Sequence, residues 1–330
     1  MKKIRIASIS CIKNESDIIE TFIRVNSRVV HTFFFIDDST DATREILRKL
    51  IKEEFHIIIL ENKSGITYFD QASIVNNAIC IIREQYKDID FDYILPLDCD
   101  EFPNTLSIEN FTQELSKIPD DSIGNYFWET YIPISLEFSK LNKNGLTSCF
   151  QKRAFEGINF PKIIIPKTHF DKIIVDTGGH NAAYSGGMPC KTYTIQSQLA
   201  HFPVRSPEQI IRKNFTAVYG LMRKKSRSKG EGFHVYYTMA AILNKNIKIN
   251  LKTLQKIAFE YASNNKFTIE PDIVELLKPS WIPDYQLKYL DQSNINFMEI
   301  FGNIIIESWL DPLPPNDLYD LCVALQNIDK

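Results

Sequence analysis

Residues Thr32 to Leu50 read TFFFIDDSTDATREILRKL. An unbroken β-favouring run, Thr32 to Ile36, stops at a pair of aspartates, and a helix over Asp41 to Leu50 follows almost at once. The same unit precedes it, as Ile4 to Cys11 and then Ile18, Ile19, Phe22 and Val25 at helical spacing. It recurs as His56 to Leu60 followed by a helix near Gln71 to Gln85, and a fourth run, Tyr93 to Leu97, ends in Asp98-Cys99-Asp100-Glu101-Phe102-Pro103. Strands that alternate with helices build right-handed crossovers on a parallel sheet covered on both faces. Such sheets bind ligands beyond the carboxyl ends of their strands. After about residue 120 shorter extended runs take over: Tyr126 to Pro133, Ser148 to Phe155, Lys162 to Pro166, Lys172 to Val175 and Tyr193 to Phe202. They read as an antiparallel addition to the sheet, with Gly178-Gly179 and Gly186-Gly187 as turns. Helical spacing returns at Ser206 and persists almost to Lys330, so the chain divides into an α/β core, residues 1–205, and a helical C-terminal lobe, residues 206–330.

Composition narrows the function. Of 330 residues, 44% are hydrophobic, enough for a real core. The formal charge of −3 leaves no global positive field to hold nucleic acid, so any phosphate-binding patch is local. Met1 to Ala7 meets Lys13-Asn14-Glu15 before an apolar stretch of signal-peptide length accumulates, and no apolar run approaches the roughly 20 residues that cross a bilayer. Six cysteines are scattered without a CxxC pair, which suits free thiols in a reducing cytoplasm.

Asp98 and Asp100 flank Cys99 at a strand end, where alternation places both carboxylates on one side. They either cap the following turn or share a hard divalent ion, Mg²⁺ or Mn²⁺, completed by a ligand's phosphates. At the same edge, Asp38 is placed to accept hydrogen bonds from a nucleobase or ribose, and Asn14 either caps a helix or meets a ligand. Ser39, Thr40 or Asp41 caps the helix that follows. A basic tract after His201 (Arg205, Arg212, Lys213, Arg223, Lys224, Lys225, Arg227, Lys229) has one acid nearby in sequence, Glu208. It reads as a solvated face, a lid over phosphates or a contact with an anionic membrane surface, with Lys213 and Arg223 to Lys229 on the outside. Phe127, Trp128 and Tyr131 are either core or a stacking surface for a sugar ring.

The runs Lys13-Asn14-Glu15, Asp37-Asp38-Ser39-Thr40-Asp41-Ala42-Thr43 and Leu97-Asp98-Cys99-Asp100-Glu101-Phe102 resemble, in order and spacing, family 2-like glycosyltransferases with a GT-A fold. Phe127 to Pro133, Lys162 to Pro166, Gly179-His180-Asn181 and Leu199-Ala200-His201-Phe202-Pro203-Val204-Arg205-Ser206-Pro207-Glu208-Gln209 resemble the bacterial subgroup whose aspartate motif reads D-x-D-E-F. The resemblance covers roughly residues 4 to 245. One departure stands out, since the usual D-D-G-S-T-D-G-T lacks its first glycine here and carries Ala42 at the second.

The resemblance implies a GT-A-like, Rossmann-like mixed sheet flanked by helices. It implies a nucleotide-sugar donor contacted by Asn14, Glu15, Asp38, Asp98, Lys162 and Arg205, with Lys162 and Arg205 on its phosphates. A divalent cation would bridge Asp98, Asp100 and the diphosphate, with His201 as third protein ligand. The sugar would pass, with inversion, to a glycan, lipid-linked or protein acceptor. An inverting transfer needs a base, and Asp176, Glu129, Glu101 and His180 are the candidates, Asp176 first because it ends an extended run beside Gly178-Gly179. The rivals are a catalytically degenerate binder of nucleotide or glycan, and a sugar nucleotidyltransferase, against which stands the absence of glycine from Ser10 to Ser16. The expected setting is the cytoplasm, with peripheral contact at the inner face of the cell membrane as the further expectation.

Overall fold

Strand order, more than strand identity, decides where the candidate residues meet. The computed structural model describes residues 4–61, 70–105, 107–136, 149–152, 160–223, 235, 249–261 and 287–289. Its first half runs β1 (Ile6–Ile12), α1 (Ile19–Asn26), β2 (Thr32–Asp37), α2 (Thr43–Lys52), β3 (Ile57–Leu60), α3 (Gln71–Gln85) and β4 (Tyr93–Pro96). β2 and β4 lie on opposite sides of β1 and parallel to it, with β3 outside β2. Successive connections therefore diverge between β1 and β4, and their carboxyl ends leave the crevice in which open α/β sheets bind ligands.

All seven residues of β1 are buried, as a central parallel strand requires. Period-two alternation sorts the aromatic run of β2: Phe33 and Phe35 join the core under α1 and α2, while Phe34 joins the one under α3. Phe22 of α1 is the keystone of the first layer, edge-on to Phe33, Phe35 and Phe102 at centroid distances of 6.0, 6.1 and 6.1 Å.

The second half adds β5 (Glu101–Asn104), α4 (Ile108–Leu115), β6 (Ser122–Pro133), β7 (Phe150–Lys152), β8 (Pro161–Pro166), β9 (Ile173–Val175), β10 (Ala182–Tyr184), β11 (Lys191–Thr194) and β12 (Gln198–His201). The main path through the sheet is β3-β2-β1-β4-β8-β6-β12-β5, with β7 and β11 also paired to β6. The expected antiparallel addition is thus mixed. β8, β5 and β7 run antiparallel to their neighbours, but β11 and β12 run parallel to β6. The run Tyr193 to Phe202 is two strands' worth of chain, broken before Gln198, and β9 with β10 forms a separate ribbon.

One edge collects the site. Strands parallel to β1 deliver the residues after their ends: 13–17 after β1, 38–41 after β2, 97–100 after β4 and 202–205 after β12. Strands running the other way deliver their beginnings, Glu101 of β5 and Lys162 of β8. β9 is fixed by α3, where the Asn76 amide mimics a neighbouring strand by donating to the Val175 carbonyl and accepting its N–H, both at 2.8 Å. The turn that follows, Asp176 to His180, is thereby laid over the end of β4. Gly179 has φ +65°, and a Cβ there would stand 3.2 Å from that of Pro96, so glycine answers both demands.

Of the helical lobe, α5 (Pro207–Arg223) and α6 (Leu251–Glu260) are described, packed with Ile132 and Val204 through Ile210, Leu254 and Ala258. Trp281, Trp309, Cys322 and Lys224, Lys225, Arg227 and Lys229 lie outside the described residues, and the division at residue 205 stays an expectation. Cys11, Cys80, Cys99, Cys149 and Cys190 are free thiols. Among the described residues no helix is long and apolar enough to cross a membrane.

Phe22→Ala is expected to cost about 3–5 kcal/mol of unfolding free energy in a urea titration, because the ring is fully buried between both halves of its layer. A loss under about 1 kcal/mol would contradict that packing.

Candidate active site

The crevice between β1 and β4 holds a small cavity, open to solvent, lined among others by Cys11, Gln71, Pro96, Asp98, Lys162 and Gly179. Asp98 and Asp100 do not project to one side as strand alternation predicts. β4 ends at Pro96, the chain turns through residues 98–100, and each aspartate finds its own cation. Asp98, 41% exposed at its side chain, takes the Lys162 ammonium at 2.9 Å. Asp100 is buried and takes Lys213 at 2.9 Å, Arg205 at 3.5 Å and His201 Nε2 at 3.7 Å. Burial opposes its ionisation, but Lys213, His201 and Arg205 hold Asp100 well below the usual carboxylate range.

Glu101 is a fastening point. Its Oε1 accepts the Trp128 indole N–H at 2.7 Å, and its Oε2 accepts the Asp98 N–H at 2.8 Å and faces Lys162 at 3.0 Å. With both oxygens engaged and no exposed surface, Glu101 is not placed to act as a base. Burial, only partly offset by Lys162, lifts its pKa to about 8. Glu129 is similarly committed, to the Asn104 amide at 2.6 Å and to Lys152.

Trp128 is 9% exposed and stacks on the imidazole of His201, ring centroids 4.1 Å apart, with its edge against His180 at 5.3 Å. Tyr131 is buried and stacked on Phe202 at 4.6 Å. Neither ring is a surface for a sugar. His180 directs Nδ1 at the Pro161 carbonyl, 2.7 Å away, so that nitrogen carries the proton and Nε2 is the acceptor. Burial and Lys162 lower its pKa, keeping the ring neutral. Asp176, on the same turn, is exposed and accepts its neighbour Thr177's N–H at 2.7 Å.

Asn14 does not cap a helix. It is buried at φ +60°, and its Oδ1 accepts the N–H groups of Thr40 at 2.7 Å and Asp41 at 3.2 Å, while its own N–H reaches Ser39 Oγ at 2.8 Å. It shapes the glycine-free turn after Asp38. Asp41 accepts the Thr43 N–H at the head of α2. Asp37 is held by Arg44 at 2.7 Å, and Asp38, 56% exposed, pairs with Lys13 at 2.9 Å.

Within the basic tract, Arg205, Arg212 and Lys213 face acids remote in sequence. The Arg205 guanidinium, 2% exposed, takes Glu15 at 2.7 Å and Asp17 at 2.7 Å as well as Asp100, which leaves it no donor for a phosphate. Arg212 pairs with Asp17 at 3.2 Å and Asp41 at 3.5 Å. Glu15 is likewise occupied, and burial lifts its pKa to about 7 against the pull of Arg205. Asp17 would be raised by burial but is held low by Arg205 and Arg212. Sequence reasoning missed Asp17, which carries no motif, and placed Lys213 outside. Helical spacing does put 205, 209, 212 and 213 near one face.

Among the described residues no three His, Cys, Asp or Glu side chains converge on one point. Donor chemistry nevertheless suits a divalent ion. Six carboxyl groups (Glu15, Asp17, Asp41, Asp98, Asp100, Glu101) meet four basic groups (Lys162, Arg205, Arg212, Lys213), a formal excess of two acids that the raised pKa values of Glu15 and Glu101 largely offset near neutral pH. Carboxylate and imidazole donors are those Mn²⁺ and Mg²⁺ sites draw on.

No family model matches the chain, and no curated protein matches it. Among solved structures, S. aureus TarS residues 1–349 is similar at 14% identity over 73% of this chain and 71% of that one, with a TM-score of 0.34. The same protein in complex with UDP gives 12% identity, 75% and 73% coverage and a TM-score of 0.35. Glucosyl-3-phosphoglycerate synthase from Mycobacterium tuberculosis, in complex with Mn²⁺, UDP and glucosyl-3-phosphoglycerate, gives 14%, 38% and 44%, and 0.26. Likenesses of this size assign no activity, and the chemistry of this site rests on its own residues.

Removing Arg205 takes the described cation from Glu15 and one of the cations from Asp17 and from the buried Asp100. Arg205→Ala is expected to lose about 3–5 kcal/mol of unfolding free energy, and Arg205→Lys to recover less than half, since one ammonium cannot span Glu15 and Asp17 as a guanidinium fork does. Full recovery by lysine in a denaturant titration would show that the fork is not what holds this cluster.

Proposed function

We propose that the chain is a metal-dependent glycosyltransferase of GT-A-like, family 2-like type, taking a nucleotide-sugar donor in the crevice between β1 and β4. The observation that carries the reading is the placement of Asp98 and Lys162 on the wall of that crevice, with Asp100 and its neighbour His201 buried two residues further on in a cluster rich in carboxylates. Asp98, Asp100 and His201 would hold Mn²⁺ or Mg²⁺, which when bound supplies Lewis-acid stabilisation of the charge that grows on a departing nucleoside diphosphate. Lys162 lends a buried positive charge at the cavity wall, aimed by Glu101, which in turn is aimed by Trp128. Asp38, exposed at the end of β2, is placed for the donor's ribose or base.

The acceptor hydroxyl needs a proton acceptor at the opposite side of the sugar. Glu101 and Glu129 being committed elsewhere, the base comes from the turn that α3 and β9 lay over the cavity. Asp176 is our assignment, because its carboxylate is exposed and bears only the N–H of its own turn among the contacts described. A glycan, lipid-linked or protein acceptor would approach from the side of α5 and α6.

Two tests follow. In a thermal-shift screen of nucleoside diphosphates with and without Mn²⁺, the wild type should show a Mn²⁺-dependent rise for one base. Asp98→Ala and Asp100→Ala should abolish that rise and His201→Ala reduce it. Wild-type shifts in both aspartate variants would sink the ion assignment. Asp176→Asn should keep the Mn²⁺-dependent shift and lose transfer by a factor on the order of 10² or more, the range of a missing general base. Undiminished turnover would move the base to His180.

A further inference from the structure

Asp100 is shared between two chemistries, and the cation that holds it is the more exposed of two. Arg205 is immobilised in a fork across Glu15, Asp17 and Asp100 and is almost wholly buried. Lys213, eight residues further on and within α5, leaves 33% of its side chain exposed. Its ammonium has Asp100 Oδ2 at 2.9 Å, the Pro203 carbonyl at 3.5 Å and the Tyr261 ring face at 5.3 Å. Nothing in that set is a bidentate clasp. A lysine ammonium is a compact charge on a flexible stem and changes partner without breaking a paired geometry, which a guanidinium cannot do.

We propose that Lys213 is an exchangeable internal cation. It neutralises Asp100 when no divalent ion does, and once displaced from that carboxylate it binds the donor's diphosphate. The inference rests on the reading of Asp98, Asp100 and His201 as the ion's residues, and assigns to α5 a diphosphate contact that the buried Arg205 cannot make. The ammonium is then a competitor of the ion and a partner of the phosphates, so deleting it must move the two affinities in opposite directions. A residue that merely supports the fold would weaken both.

The test uses the full-length chain and measures Mn²⁺ alone by calorimetric titration, then inorganic pyrophosphate at saturating Mn²⁺, so that the donor's base need not be known. Lys213→Met keeps the aliphatic stem against Tyr261, and Lys213→Gln serves if the methionine variant fails to fold. The expected result is Mn²⁺ binding several-fold tighter than wild type together with pyrophosphate binding roughly tenfold weaker, the size of one lost hydrogen bond to a charged group. Mn²⁺ affinity unchanged or weakened in a folded variant overturns the exchange, and unchanged pyrophosphate affinity overturns the phosphate contact. Asp100→Ala is the control: if it binds Mn²⁺ as the wild type does, or if the wild type binds none, the ion assignment itself fails.

Discussion

Neutralising carboxylates at one sheet edge is the constraint on which the second half of this fold depends. The connections after β1, β2 and β4 bring Glu15, Asp17, Asp41, Asp98, Asp100 and Glu101 to a single rim, and the first half supplies none of the four basic groups that answer them. The chain must come back with cations. β8 does so with Lys162 at its start, and the segment after β12 does so with Arg205, Arg212 and Lys213. Buried ion pairs of this kind add little net stability compared with an apolar contact, because desolvation consumes most of the Coulombic gain. Their effect here is on arrangement: an unanswered carboxylate is so costly that α5 has one seat.

The mixed sheet follows from the same requirement. Had β8 entered parallel to β4, its first residues would lie at the far edge and Lys162 would be a strand's length from Asp98. Antiparallel entry between β4 and β6 reverses that. β5 likewise runs back beside β12, in register with Glu101 opposite His201, so that the acid and the imidazole arrive together. Trp128 on β6 then touches both, through its N–H to Glu101 and its face to His201. One indole thus fixes the rotamers of two residues that come from different strands, a rigidity that loops alone would not provide.

The first half of the chain was readable because its signals are local. Apolar run, cap and helical spacing recur in strict order, and α3 has the very limits, Gln71 to Gln85, that spacing predicts. Which residues lie at the crevice was readable for the same reason, since a strand's end is a local feature. What each does there was not. Asp98-Cys99-Asp100 reads as strand, yet β4 ends at Pro96 and a turn separates the two carboxylates. Asn14 reads as a cap or a contact, yet its left-handed backbone and its reach to Thr40 and Asp41 make it the organiser of a turn from which glycine is missing. The basic tract looks unopposed because its acids stand almost 190 positions earlier, as Glu15 and Asp17. Pairing across that distance is set by β12 lying in the sheet, which no window of sequence records. The parallel run of β11 and β12 beside β6 was hidden by the same non-locality.

The four cations at the rim differ in how firmly each is held, and that difference separates architecture from chemistry. Arg205 answers three carboxylates with a planar fork and is sealed from water; its role ends with holding α5 to the strand ends. Lys162 is equally buried but borders the cavity, so its field reaches a ligand while its position does not change. Lys213 is tied to one carboxylate and faces solvent along a third of its length. The rim still carries more negative charge than these cations cancel, and Glu15 and Glu101 absorb part of the excess by holding their protons to unusually high pH. A fold that needed only stability would have matched the charges or replaced them with apolar side chains. Keeping more acids than cations at the one edge where strands of opposite sense converge is what an incoming positive partner would require, with the firmly held cations keeping the site assembled in the meantime.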